Sequence, residues 1–320
     1  MRKNDLNAEE FEGIAAITGA GRIIRAEEAL EAFCEDRQRK GIRESTILYY
    51  RNQINYLFRY FMREHEAIPA MNEITTELLD EFVKYLRYER GNKDGGINAK
   101  IRAIRTFLNY CEEVGFIKYN PAKVWKQIKT RDPEINAFTG KQLKQLFMQP
   151  NIRRFTGLRD RLLMMFLFDT GARISEALAV KVEDLHYNER RALLRDTKSG
   201  YSRYVPLSDE LIAHLRQFLK IHDGMSEYIF VGLSGKPIDK NHFRLTMNAY
   251  GKKAGIKGVR VSPHTFRHTF AKFYILNGGD AFSLMQIMGH STTDMTKRYV
   301  RLFSTEIVEK HRRYSPLKNL

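Results

Sequence analysis

Apolar side chains recur every three or four residues from Ala29 to Leu108, and this spacing is the strongest constraint on what the chain can fold into. Ala29, Leu30 and Phe33 form one stripe. Ile47, Tyr50, Ile54, Leu57, Phe58 and Phe61 form a second, with Ser45 placed to cap its helix. Thr75 or Thr76 opens a third, with Leu78, Leu79, Phe82, Val83 and Leu86 inward, and a Gly91–Gly96 loop follows it. Ile97, Ile101, Ile104, Phe107 and Leu108 make a fourth. Residues at such steps share one helix face, so the stretch reads as four amphipathic helices around a common core. Cys34 and Cys111 sit within these patterns, far apart and without zinc spacing. They read as buried thiols of a reducing compartment.

The pattern breaks after residue 118. Residues 119–136 carry Pro121, Pro133 and the bases Lys123, Lys126, Lys129 and Arg131, the composition of an extended linker. Beyond it the periodicities are mixed. Leu158 to Phe168 reads as a long buried helix ending at Asp169-Thr170-Gly171. Ala192–Lys198 and Arg203–Leu207 flank a Ser199-Gly200 turn and read as a β-hairpin. Helices are expected around 209–221, 239–254, 265–277, 281–288 and 293–300. The fold class is therefore mainly α with a small antiparallel β-sheet. The domains are an N-terminal arm (1–22), a helical domain (23–118), the basic linker (119–136), a mixed α+β domain (137–303) and a C-terminal tail (304–320).

Charge is distributed unevenly between these parts. Residues 1–136 hold 23 basic and 22 acidic side chains, whereas residues 137–320 hold 31 and 16. The second half therefore carries nearly all of the net charge of +16, and a phosphate-handling site is expected there. Charge alone also suits mere solubility. No apolar run has signal-peptide or membrane-span length, which implies a cytoplasmic protein with no membrane partner.

Three polar clusters stand out in that half. In Thr170-Gly171-Ala172-Arg173-Ile174-Ser175-Glu176 an arginine follows a helix-ending glycine, and a glutamate lies three residues on. An ordinary Arg–Glu pair at a helix start would look the same. In His264-Thr265-Phe266-Arg267-His268, two imidazoles and a guanidinium share a helical face. This suits an anion exchanging protons and makes a poor zinc site, because no third ligand is near and Arg267 repels a cation. A structural histidine pair is the bland alternative. Met288-Gly289-His290 precedes Tyr299, one tyrosine among 16.

Taken in order, Arg173, Lys198, His264-x-x-Arg267-His268, Gly289-His290 and Tyr299 closely resemble the tyrosine recombinase (phage integrase) family, in its Xer-like form with a core-binding and a catalytic domain. Four patches carry the resemblance: TGARISEAL, TKSGYSRYVPL, SPHTFRHTFA and MGHSTTDMTKRYV. It implies a C-shaped DNA clamp made by the helical core-binding domain and the catalytic domain. It implies DNA cleavage and rejoining through a 3′-phosphotyrosyl bond to Tyr299, without metal, ATP or other cofactor. Arg173 and Arg267 would grip the phosphate, His264 would assist proton removal from the tyrosine, His290 would add a phosphate hydrogen bond, and Lys198 would protonate the leaving 5′ oxygen. Glu176 and His268 would support these groups from behind. Arg43, Lys100, Arg105, Lys123, Lys126 and Lys129 are candidates for backbone contacts to DNA.

The partners implied are double-stranded DNA with inverted-repeat core sites, further copies of the chain (a dimer per site, a tetramer in synapsis) and a possible directionality factor. The setting would be the bacterial cytoplasm and nucleoid, in a phage, mobile element or chromosome. The tail after Phe303 would dock on a neighbouring subunit, and residues 1–22 are too short for an additional arm-site domain. Competing readings are a DNA-binding regulator that keeps the fold without recombining, a type IB topoisomerase and a metal-dependent nuclease.

Overall fold

The computed structural model describes residues 24–129, 136–195, 202–289 and Tyr299. The chain divides into two compact units, Met1–Pro133 and Glu134–Leu320. It is mostly helical, with one three-stranded antiparallel sheet. No described helix is long and apolar enough to cross a membrane.

The first unit holds α1 (Ala26–Arg39), α2 (Glu44–Glu64), α3 (Thr76–Lys84) and α4 (Asp94–Glu113). Their apolar stripes meet in one core, with Phe33 edge-on to Tyr50, Phe107 and Tyr110. Thr75 caps α3, its hydroxyl accepting from the Leu78 amide. Ser45 does not cap α2. The helix begins one residue earlier, at Glu44, whose carboxylate in the first turn favours the positive end of the helix dipole. A π-helical turn, Tyr85–Glu89, extends α3.

The expectation of a linker beginning at residue 119 is corrected. The chain stays on the first unit's core through Ile128. Pro121–Val124 forms a 3-10 turn, entered by a proline that needs no amide partner there. Asn120 is fully buried, donating to Asn109 Oδ1 at 2.6 Å and accepting from the Ala122 amide at 2.8 Å. Trp125 buries its ring and donates Nε1–H to Asp80 at 2.7 Å. Asn98 both donates to the Ile128 carbonyl and accepts from its amide, each at 2.9 Å. Pro121 therefore shapes a packed turn rather than a tether. Burial of a tryptophan outweighs the polar composition around it.

The second unit opens with α5 (Gly140–Phe147), which periodicity did not suggest. A capping box starts it, Thr139 and Gln142 satisfying each other's amides. Next come the buried α6 (Phe155–Thr170), the short α7 (Ile174–Leu178), strands β1 (Leu185–His186), β2 (Arg191–Leu194) and β3 (Arg203–Pro206), then α8 (Asp209–His222), α9 (Lys240–Lys253), α10 (Pro263–Leu276) and α11 (Ala281–Met288). The expected hairpin is the antiparallel β2–β3 pair, with Ala192 opposite Val205 and Leu194 opposite Arg203. Its turn, 196–201, lies outside the described residues, as do the expected helix over 293–300 apart from Tyr299, the arm 1–22 and the tail 304–320.

α6 is the central post of this unit, with α8 and α10 packed along it. It stops at Gly171, in the left-handed conformation at φ +63°. A Cβ at that position would stand 2.3 Å from the Phe270 ring, so the close approach of α10 also demands glycine.

Candidate active site

The turn at Gly171 sets Arg173 at the start of α7. Glu176, at the third helical position, reaches back to accept the Arg173 amide at 2.8 Å and its Nη1 at 2.7 Å. The Glu176 side chain has no exposed surface, while that of Arg173 remains 30% exposed. The guanidinium is thus held from behind and open in front.

Arg267 comes from the inner face of α10. Its Nη1 donates to the Gly171 carbonyl and its Nη2 to the Met288 carbonyl, each at 2.6 Å. These oxygens belong to the C-terminal ends of α6 and α11, where helix dipoles concentrate negative charge. Even so, burial, with the adjacent Arg173, pushes its pKa down to about 10, so it stays cationic at neutral pH.

One turn of α10 brings His264 and His268 together with Arg267. The imidazoles meet edge to face, with centroids 4.3 Å apart. His264 lies at the rim, exposed on its outer side. Partial loss of water around the ring, then the charges of Arg267 and Arg173, hold its pKa below the ordinary histidine value. The shift favours the neutral ring, the form that accepts a proton.

Tyr299 is 1% exposed, its ring packed among Phe270, Ala271, Ile275, Leu284 and Met288. Its hydroxyl lies 2.6 Å from His268 Nδ1, and it is near enough to Arg267 to act on that residue's charge. The structure therefore pairs the tyrosine with His268, not with His264. His268 is not a remote support.

A further cation, Arg203 on β3, was missing from the candidate set. Its Nη1 and Nη2 grip Glu176 at 3.1 and 2.8 Å, and its Nε donates to the Ile287 carbonyl at 2.8 Å. The signal was legible. In β3, Arg203 shares a face with the buried Val205, and a base on a core-facing position requires a carboxylate. Burial would raise the pKa of Glu176, but hydrogen bonds from Arg203 and Arg173 outweigh it and hold the acid below its ordinary value.

Arg173, Glu176, His264, Arg267, His268 and Tyr299 thus converge. Lys198 and His290 lie outside the described residues. The remaining candidates sit in the first unit. Arg43 precedes α2, and Lys100 stands over the Tyr56 ring at 4.7 Å. Arg105 donates to the Ala122 carbonyl and Lys123 pairs with Glu112 at 2.7 Å, so both serve the packed turn. Lys126 and Lys129 face solvent. Among the described residues, no group of three or more His, Cys, Asp or Glu side chains is arranged to hold a metal ion.

Two guanidinium groups, a paired imidazole couple and a tyrosine hydroxyl thus gather in one place, a set of groups able to hold a phosphate and present a nucleophile to it. The phage integrase family model matches residues 136–306, and the phage integrase SAM-like domain matches residues 28–129. The chain belongs to the phage integrase family, the tyrosine site-specific recombinases. It is 25% identical over 287 residues to tyrosine recombinase XerC of Thermodesulfovibrio yellowstonii, covering 87% of this chain and 92% of the relative. It is 27% identical over 282 residues to XerC of Oceanobacillus iheyensis, covering 86% and 91%. Its fold is similar to that of a lambda integrase (75–356) dimer bound to a COC′ core site, with TM-score 0.71, 16% identity and coverage of 85% and 97%. It is also similar to XerH recombinase bound to a palindromic difH substrate, with TM-score 0.69, 17% identity and coverage of 90% and 84%.

Proposed function

We propose that this recombinase breaks and rejoins DNA strands at inverted-repeat core sites through a 3′-phosphotyrosyl intermediate on Tyr299. The Tyr299 oxygen attacks the phosphorus, its proton passing to the adjacent imidazole pair. The bond from phosphorus to the 5′ oxygen breaks, and the departing oxygen takes a proton, a role assigned to Lys198 by family resemblance. Attack by a second strand's 5′ hydroxyl reverses the step, so the bond is conserved and one difficult exchange becomes two easier ones. Arg173 and Arg267 stabilise charge on the non-bridging oxygens as fixed, forked donors, with a further hydrogen bond assigned to His290.

The observation that carries this reading is the convergence of Arg173, Arg267 and the His268-paired Tyr299 hydroxyl in one pocket. The solved complexes of XerH and lambda integrase with their DNA sites support a duplex partner and assembly of copies on it, read here as a dimer per site and a tetramer in synapsis. Lys126, Lys129, Lys100 and Arg43 are proposed to contact the DNA backbone, and the C-terminal tail to dock on a neighbouring copy. A directionality factor would act on that assembly, in the cytoplasm and on the nucleoid.

The test is a suicide DNA substrate carrying the recombinase's own site. The wild type forms a covalent protein–DNA adduct that persists in EDTA, and Tyr299→Phe binds the site without forming it. Tight binding without any adduct by the wild type would instead support a regulator.

A further inference from the structure

The carboxylate of Glu176 is saturated. Oε1 accepts from Arg173 Nη1 and Arg203 Nη1, and Oε2 from the Arg173 amide and Arg203 Nη2. A carboxylate offers about four acceptor positions, and each is filled. Two arginines therefore share one fully buried anion. Adding Arg267, three guanidinium groups gather around this one carboxylate among the described residues. Arg203 is the most enclosed of those touching Glu176, its side chain 13% exposed against 30% for Arg173. Its Nε is committed to the Ile287 carbonyl, and Gly289 leaves its space empty for it: a Cβ there would lie 3.0 Å from the guanidinium.

Removing Arg203 would leave two acceptor positions open on a buried anion, a costly state. Arg173, which already donates to both oxygens, is a donor able to fill them. Its guanidinium would swing into a two-pronged grip on Glu176 and away from the open front of the pocket, while the pocket lost one positive charge.

We propose that Arg203 is a positioning residue for the strand-transfer reaction: by occupying half of Glu176 it keeps the Arg173 guanidinium turned toward the reacting phosphate and keeps the pocket cationic. The inference rests on the recombinase reading above. Arg203 touches no substrate in this account. It acts through Glu176 on Arg173, and its effect is confined to charge on the non-bridging oxygens.

A charge-specific substrate tests this. Suicide sites are prepared with either a phosphodiester or a methylphosphonate at the scissile position, the latter lacking the anionic oxygen. Adduct formation is timed for the wild type and for Arg173→Ala, Arg203→Ala, Arg203→Gln and Arg203→Lys. DNA affinity and cooperative unfolding are measured alongside, and a variant that does not unfold cooperatively is replaced by the next of the Arg203 series. On the phosphodiester, loss of Arg203 slows the adduct by about 10- to 100-fold at unchanged affinity, the scale of a misplaced catalytic group. Lysine, which keeps the charge without the fork, restores part of the rate. On the methylphosphonate, the gap between the wild type and the Arg203 and Arg173 variants closes. An equal deficit on both substrates would show a purely structural role and overturn the proposal, as would a wild-type rate on the phosphodiester. A wild type silent on both substrates, yet bound to them, defeats the recombinase reading itself, and the inference with it.

Discussion

The Tyr299 hydroxyl lies 2.6 Å from Nδ1 of His268, and His268 in turn packs against His264. His268 thus touches both the tyrosine hydroxyl and the imidazole whose pKa Arg267 and Arg173 lower.

On the proposed recombinase reading, this contact makes His268 the expected kinetic partner of the tyrosine. His268→Ala is expected to slow adduct formation by roughly 10²- to 10⁴-fold, the contribution of a positioned acid or base. Because the two rings act as a unit, His264→Ala combined with His268→Ala should cost little more than the worse single change. Single-turnover adduct assays on the three variants check this, and strictly multiplicative losses would exclude a shared role.

The position of His264 sets a pH dependence. Crowding that strips water from the ring, followed by the charges of Arg267 and Arg173, lowers its pKa, so the neutral, proton-accepting form persists to lower pH than for a free histidine. The acid limb of adduct formation is expected below about pH 6.5, the ordinary histidine midpoint. Removing a neighbouring cation favours the protonated ring. In Arg173→Ala the His264 titration, followed by NMR, should therefore move upward in pH.

Gly171 links the two arginines through backbone geometry. Gly171→Ala places a methyl 2.3 Å from the Phe270 ring in a conformation at φ +63° that L residues rarely adopt. Crowding of this kind costs about 1–3 kcal/mol. Thermal unfolding should fall by about 2–4 °C for each kcal/mol. The Gly171 carbonyl, an anchor of Arg267, would shift as well, so adduct formation should slow beyond the loss of stability.

Trp125 pins the last segment of the first unit to its core. Trp125→Ala removes a buried ring and its hydrogen bond to Asp80, at a cost of about 3–5 kcal/mol. Limited proteolysis should then open the chain between Ile117 and Ile128, a stretch expected to resist cleavage in the wild type. Early cleavage there in the wild type would restore the extended linker that composition suggests.

Both thiols are buried, and burial raises their pKa values, that of Cys111 to about 12. A thiol-directed reagent at mildly alkaline pH should modify neither until the protein unfolds, and both afterwards.

Sequence periodicity sufficed for the helices of the first unit and for α8 to α11, because a stripe of apolar residues has only one way to be buried on a helix. The order of Arg173, His264, Arg267 and Tyr299 carried the family, because each lies in a local motif whose shape depends on near neighbours: the glycine turn before α7, the face of α10. Partnerships across long separations were not fixed this way. Nothing local distinguishes His264 from His268 as the neighbour of Tyr299, or pairs Arg203 with a glutamate 27 residues earlier. Nothing in a proline-bearing basic stretch announces that Trp125 will find Asp80. Those contacts exist because buried polar groups must find partners wherever the fold brings them. Only tertiary packing decides which carboxylate, carbonyl or ring stands within reach.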